Sequence, residues 1–300
     1  MHLNFNNTWH SRSLHGDDGM PDGGSDLIHD YLKLIRYGNC VMSSVAVFLG
    51  GLVVSGSGLD RHVQAIAAAM IAVFLFTAAG NALNDFLDAE IDARAHPERP
   101  IPSGRISSEN ARRLTFILFA GSVLAALFIN AGALAIVIIS LGIMLAYEFR
   151  LKKLGLTGNI SIAWLTASLF LFGAVSVGEP LPVWALFATS FAATLGREII
   201  KDIQDRSADT GIRKTLPMSI GDRNSMYISA AALLSAVAVS PFPYALRQFG
   251  IAYLAVVIAA DLLFAASAVL QKTSASRAQA TTKIAMYVAL LAFLAGALGA

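Results

Sequence analysis

Asn84-Asp85-Phe86-Leu87-Asp88-Ala89-Glu90-Ile91-Asp92 closes an apolar run that begins near residue 64. Its aspartates stand at i, i+3 and i+7, a spacing that puts three carboxylates on one face of a helix. A second stretch, Lys201-Asp202-Ile203-Gln204-Asp205-Arg206-Ser207-Ala208-Asp209, closes another apolar run with the same spacing at Asp202, Asp205 and Asp209. Carboxylates at the end of a membrane helix are costly, so they face a cavity, a partner or a cation. Acids that merely solvate a helix end have no reason to repeat the spacing.

The runs around these stretches set the fold class. Of 300 residues, 56% are hydrophobic and only 14% charged, with mean hydropathy +0.62. A soluble domain carries about 25% charged residues. Nine apolar runs are long enough to cross a bilayer as helices, at roughly 33–55, 64–84, 112–130, 132–149, 159–178, 182–201, 226–246, 249–271 and 282–299. The expectation is an all-α polytopic membrane protein with nine transmembrane helices around a central cavity and polar cap loops on the cytoplasmic side. The connection at Asn130-Ala131-Gly132 is so short that its two flanking runs also read as one long span.

The basic residues orient the chain. They cluster before the first run (Arg12, Lys33, Arg36) and in every second loop thereafter, as at Arg94–Arg113, Arg150–Lys153, Arg197–Arg223 and Lys272–Lys283. The opposite side has Arg61 and Arg247 alone. The positive-inside rule therefore puts the N-terminus and both acidic stretches in the cytoplasm and the C-terminus outside.

Residues 1–28 are polar and lack the basic and apolar segments of a signal peptide, so they read as a flexible tail ahead of a domain spanning 29–300. His2, His10 and His15 are too irregularly spaced to suggest a metal site. The single Cys40 excludes an internal disulfide. A net charge of +2 gives no footing for nucleic acid, and no feature calls for an obligate protein partner.

The two acidic stretches are followed by similar loops, Arg99-Pro100-Ile101-Pro102-Ser103-Gly104 and Lys214-Thr215-Leu216-Pro217-Met218-Ser219-Ile220-Gly221. A basic residue, a proline, a serine and a glycine recur in the same order, a weak internal repeat of the parallel kind. Two such acidic faces on one side of a membrane can converge on one cavity. Mg²⁺ takes one or two carboxylates, several waters and the oxygens of a substrate phosphate. Facing acidic sets with interleaved Lys and Arg therefore suit a diphosphate head, and the apolar bundle suits a hydrocarbon tail.

Asn84-Asp85-x-x-Asp88-x-x-x-Asp92 and Asp202-x-x-Asp205-x-x-x-Asp209 resemble the two aspartate-rich motifs of the UbiA superfamily of intramembrane prenyltransferases. The resemblance covers nearly everything after the tail. It is strongest to the archaeal ether-lipid branch at Arg36-x-x-Asn39, Arg99–Ser107, Lys152–Asn159, Arg197–Asp202 and Thr215–Pro217. It implies transfer of a geranylgeranyl group from an isoprenyl diphosphate donor to a lipid-phosphate acceptor, geranylgeranylglyceryl phosphate, among membrane lipids. It further implies Mg²⁺ held by Asn84, Asp88, Asp92, Asp202, Asp205 and Asp209, with Asp85 joining directly or from behind. Asp88, Asp92, Asp205 and Asp209 are then the catalytic acids, and Arg99, Lys152 and Lys201 the phosphate contacts.

Some residues read two ways. Tyr147 either stabilises the diphosphate or carbocation or is an interfacial tyrosine. Arg36, with Asn39, either meets the acceptor or snorkels. Asp261, inside an apolar run, either lines the acceptor cavity or is hydrogen-bonded to a neighbouring helix. Glu198 reads as a further acid of the site, and Glu90 and Glu148 as facing solvent or basic neighbours. Two other functions fit the same sequence: prenyl transfer to an aromatic acceptor, and cation-coupled transport.

Overall fold

The computed structural model describes residues 23–209 and 214–299. Residues 1–22, most of the expected tail, lie outside the described residues. Among the described residues there is no strand, and a lone parallel bridge joins Leu154 to Lys214. The α-helices are α1 (Gly23–Leu34), α2 (Tyr37–Ser55), α3 (Val63–Leu87), α4 (Ala89–Ala95), α5 (Ser108–Leu127), α6 (Ala131–Phe149) and α7 (Leu156–Ser176). They continue as α8 (Trp184–Gln204), α9 (Arg206–Asp209), α10 (Leu216–Ile220), α11 (Asp222–Val239), α12 (Phe242–Ala245), α13 (Ile251–Leu270) and α14 (Ala275–Leu298).

Eight segments among the described residues are long and apolar enough to cross a membrane. The first, Tyr37–Leu87, has 51 residues and contains both α2 and α3. The sequence expectation counted it as two runs. The 3-10 turn Gly56–His62 reverses the chain here. Ser44 Oγ donates to Met70 O (3.0 Å) and Asn81 Nδ2 to Ile35 O (2.8 Å), as antiparallel helices require. The short connection at Asn130 does separate two helices. Asn130 caps α6 by accepting from the Ala133 N–H (2.8 Å), while its Nδ2 donates to Val175 O (2.8 Å).

Both acidic stretches break where one continuous helix was expected. The α3 helix stops at Leu87 and α4 starts at Ala89; α8 stops at Gln204 and α9 starts at Arg206. The residue at each break is the middle aspartate. Asp88 has φ −93° and ψ 6°, Asp205 has φ −91° and ψ 5°, and each N–H donates to the carbonyl four residues back at 2.9 Å. The expectation that each triad occupies one helical face is thus corrected. A residue in the bridge region of φ/ψ space turns the axis, so the third aspartate departs on a new helix.

The repeat is visible in packing as well as in sequence. In the first half α3 packs against α2 and α5; in the second α8 packs against α7 and α11. The halves meet where α2 crosses α7. A Cβ on Gly50 would lie 2.1 Å from the Phe170 carbonyl oxygen, and one on Gly173 2.0 Å from that of Val47. Only glycine permits this approach, and close backbone contact is how apolar helices associate in lipid. The second half is filled by Ile200, Leu233, Phe264 and a series of alanines. Asp261 there accepts from Ser240 Oγ (2.6 Å), whose carbonyl accepts from the Tyr253 hydroxyl. Of its two readings, the interhelical hydrogen bond is the one realised.

Candidate active site

Helices α3, α6 and α7 line a cavity of about 800 Å³. Arg36, Asn84, Asp88, Asp92, Glu148, Lys152 and Lys201 supply its polar wall. Val73, Phe76, Val137, Leu165, Leu169 and Phe172 supply its apolar wall. A second, polar space of about 40 Å³ adjoins it, lined by Asn159, Glu198, Asp202 and Thr215 among others. Tyr147, Lys152 and Lys201 line both spaces and stand between the two acidic motifs.

The bend at Asp88 sorts the first triad. Asp85, still on α3, is buried outside the cavity lining and accepts from Arg36 Nη2 (2.6 Å), with Arg99 Nη1 at 3.8 Å. Asp88 and Asp92 turn to the cavity. Asp88 Oδ1 accepts from Lys152 Nζ (2.8 Å) and Oδ2 from Asn84 Nδ2 (3.1 Å); Asp92 pairs with Arg99. Each aspartate of the first motif is therefore matched by a cation. Arg36 itself sits at φ 50°, a left-handed conformation unfavourable for a side-chain-bearing residue, and its guanidinium also reaches Asn84 Oδ1 at 3.3 Å.

The second triad is sorted in the same way. Asp202 is buried on α8 and accepts from Asn159 Nδ2 (2.9 Å), as Asp85 does from Arg36. Both contacts come from the start of the preceding long helix. Asp205 is partly exposed and lines neither space; the side chain of Asp209 lies outside the described residues. Asn39 is exposed, away from the cavity lining, and its backbone N–H donates to the Arg36 carbonyl (2.7 Å). Arg99 reaches the site through Asp92 and Asp85 rather than by lining the cavity.

Glu148 is the residue that sequence reasoning undervalued. Its Lys152 neighbour at i+4 was visible in the sequence. Its burial, and its contact with Asn84 across the cavity, were not. Burial opposes the Lys152 ammonium, but the hydrogen bond it donates to Asp88 and the charge of Glu148 outweigh it and raise the lysine pKa above its ordinary value. Lys152 is therefore a fixed positive charge between two carboxylates. Glu90 is exposed, as expected, and Glu198 pairs with Arg197 beside the polar space.

Residues 44–295 match the UbiA prenyltransferase family. The chain belongs to that family. It is a multi-pass membrane prenyltransferase. Digeranylgeranylglyceryl phosphate synthase of Natronomonas pharaonis is 39% identical over 274 residues, covering 90% of this chain and 98% of the relative. The synthase of Methanosarcina mazei is 37% identical with the same coverage. A solved structure concerning digeranylgeranylglyceryl phosphate synthase in membranes superposes with TM-score 0.83 at 36% identity, covering 91% of this chain and 99% of that one. A UbiA homologue from Archaeoglobus fulgidus bound to GPP and Mg²⁺ shares the fold, with TM-score 0.65 at 16% identity.

Proposed function

We propose that this enzyme transfers a geranylgeranyl group from geranylgeranyl diphosphate to geranylgeranylglyceryl phosphate, forming an ether bond and releasing diphosphate. The carrying observation is the polarity of the 800 Å³ cavity, with acids and cations at one end and branched and aromatic side chains at the other. Val73 precedes Asn84 by eleven residues, so the apolar wall extends roughly 16 Å along α3 from the charged end. The similarity to the synthases supports the choice of donor and acceptor.

The donor set fits Mg²⁺. Among the described residues, no three His, Cys, Asp or Glu side chains are arranged to hold a metal by themselves. Asn84, Asp88 and Asp92 instead offer one amide and two carboxylates on one wall, the sparse oxygen set that Mg²⁺ shares with a substrate's phosphates. Asp202, Asp205 and Asp209 are the matching set by repeat, with Asp85 supporting from behind. Bound there, the cation supplies charge stabilisation for the departing diphosphate.

The protein's own groups do the rest. Lys152, Lys201 and Arg36 line the cavity as cations able to meet phosphate oxygens, and Arg99 holds Asp92 in place. The C1–O bond of the donor breaks with allylic carbocation character, its electron pair leaving on the diphosphate; the glycerol hydroxyl attacks C1 and its proton passes to the departing diphosphate. Tyr147 stands between the two motifs, beside the departing charge. The apolar wall excludes water from the cation.

Counting Tyr37–Leu87 as two crossings gives nine spans. The basic loops put the site and the N-terminal end in the cytoplasm, with the C-terminus outside. Residues 29–300 are the catalytic domain, and α1 straddles its boundary with the tail.

The test is product analysis of the purified protein with geranylgeranyl diphosphate and Mg²⁺, offered geranylgeranylglyceryl phosphate or 4-hydroxybenzoate. Ether product and diphosphate from the first acceptor support the reading. Product from the second alone overturns it.

A further inference from the structure

Glu148 is the penultimate residue of α6, its side chain only 3% exposed inside a membrane-spanning segment. A carboxylate there is costly and must be paired. Its two oxygens accept from Asn84 Nδ2, both at 3.3 Å, and Oε2 also accepts from Lys152 Nζ at 3.0 Å. The same two donors serve Asp88, Asn84 at 3.1 Å and Lys152 at 2.8 Å. The four side chains close a ring in which two acceptors share two donors.

We infer that Glu148 is a positioning residue for the cation site, an inference that rests on the metal role proposed above for Asn84 and Asp88. A carboxylate only accepts, so it fixes which way round the Asn84 amide lies. The –NH₂ is turned to Glu148 and Asp88, so the carbonyl oxygen, the only atom of the amide that a hard cation takes, points away from both; there it accepts from Arg36 Nη2 at 3.3 Å, a long contact that a cation would replace. Glu148 also gives Lys152 a second carboxylate. When a cation occupies Asp88, the ammonium keeps Glu148 as its partner and remains in the cavity, rather than competing for Asp88. Glu148 itself needs no contact with metal or substrate. Outer partners of this sort orient ligands and are worth about 10- to 100-fold in metal affinity.

The experiment measures Mn²⁺ binding by electron paramagnetic resonance on purified protein with inorganic diphosphate, alongside thermal unfolding. Glu148→Gln is expected to bind Mn²⁺ about 10- to 100-fold more weakly while unfolding within a few degrees of wild type. Wild-type Mn²⁺ affinity in folded Glu148→Gln overturns the inference. Should Glu148→Gln not fold, Glu148→Asp, one methylene short of both donors, is judged by the same criterion. Failure of the wild type to bind Mn²⁺ would instead overturn the proposed metal site.

Discussion

Asp88 and Asp205, 117 positions apart, adopt the same backbone conformation to within a few degrees and end their helices with the same 2.9 Å hydrogen bond. Each is the point where a membrane helix gives way to a short one. The equivalence argues for equivalent roles, although Asp88 lines the cavity and Asp205 does not. Asp88→Asn and Asp205→Asn are each expected to lower prenyl transfer by about 100-fold or more, with the protein still membrane-inserted. Near-normal product from both variants would remove the acids from the mechanism.

Asp85 is predicted to behave differently. It is buried outside the cavity lining and ties Arg36 and Arg99 to α3. Asp85→Ala should cost about 2 kcal/mol of stability, less than the ~3–5 kcal/mol of a fully buried pair because Arg36 is part exposed. Unfolding in detergent checks this. The Mg²⁺ concentration for half-maximal activity should shift far less than in Asp88→Asn.

Lys152→Met leaves Asp88 and Glu148 facing one another without their shared cation. The variant is expected to melt lower than wild type and to show a KM for the diphosphate donor raised by about tenfold or more. An unchanged KM would take Lys152 out of diphosphate binding.

The apolar wall predicts donor selectivity. Val137→Trp fills space along that wall between α3 and α7. Transfer from geranylgeranyl diphosphate should fall by about tenfold or more, while the shorter geranyl diphosphate is affected less. Equal losses for both donors would place the tail elsewhere.

The seam between halves predicts stability. Gly173→Leu drives a side chain into the α2 backbone at Val47 and should abolish or sharply reduce folded yield, beyond the ~1–3 kcal/mol of ordinary overpacking. Gly142→Ala, where nothing lies within 4 Å of the new Cβ, is the matched control.

Much of this was legible in the sequence because its cause is local. Apolar runs mark spans, and Asn130 marks its own helix start. The i, i+3, i+7 spacing drew attention to the right residues through the wrong geometry. Spacing rules assume an unbroken helix, and the backbone at Asp88 breaks it. Glu148 and Asn159 were hidden for another reason. Their partners Asn84 and Asp202 lie on other helices, and no periodicity reports a contact made across a bundle.

The lone bridge between Leu154 and Lys214 ties the loop carrying Lys152 to the loop beyond the second acidic motif. Gly155 lies beside it in a positive-φ turn so close to Leu216 that a Cβ would come within 3.0 Å of the backbone nitrogen. The two loops are thereby stapled into one clasp. A shift of either rim at Leu154 or Lys214 therefore carries the other with it.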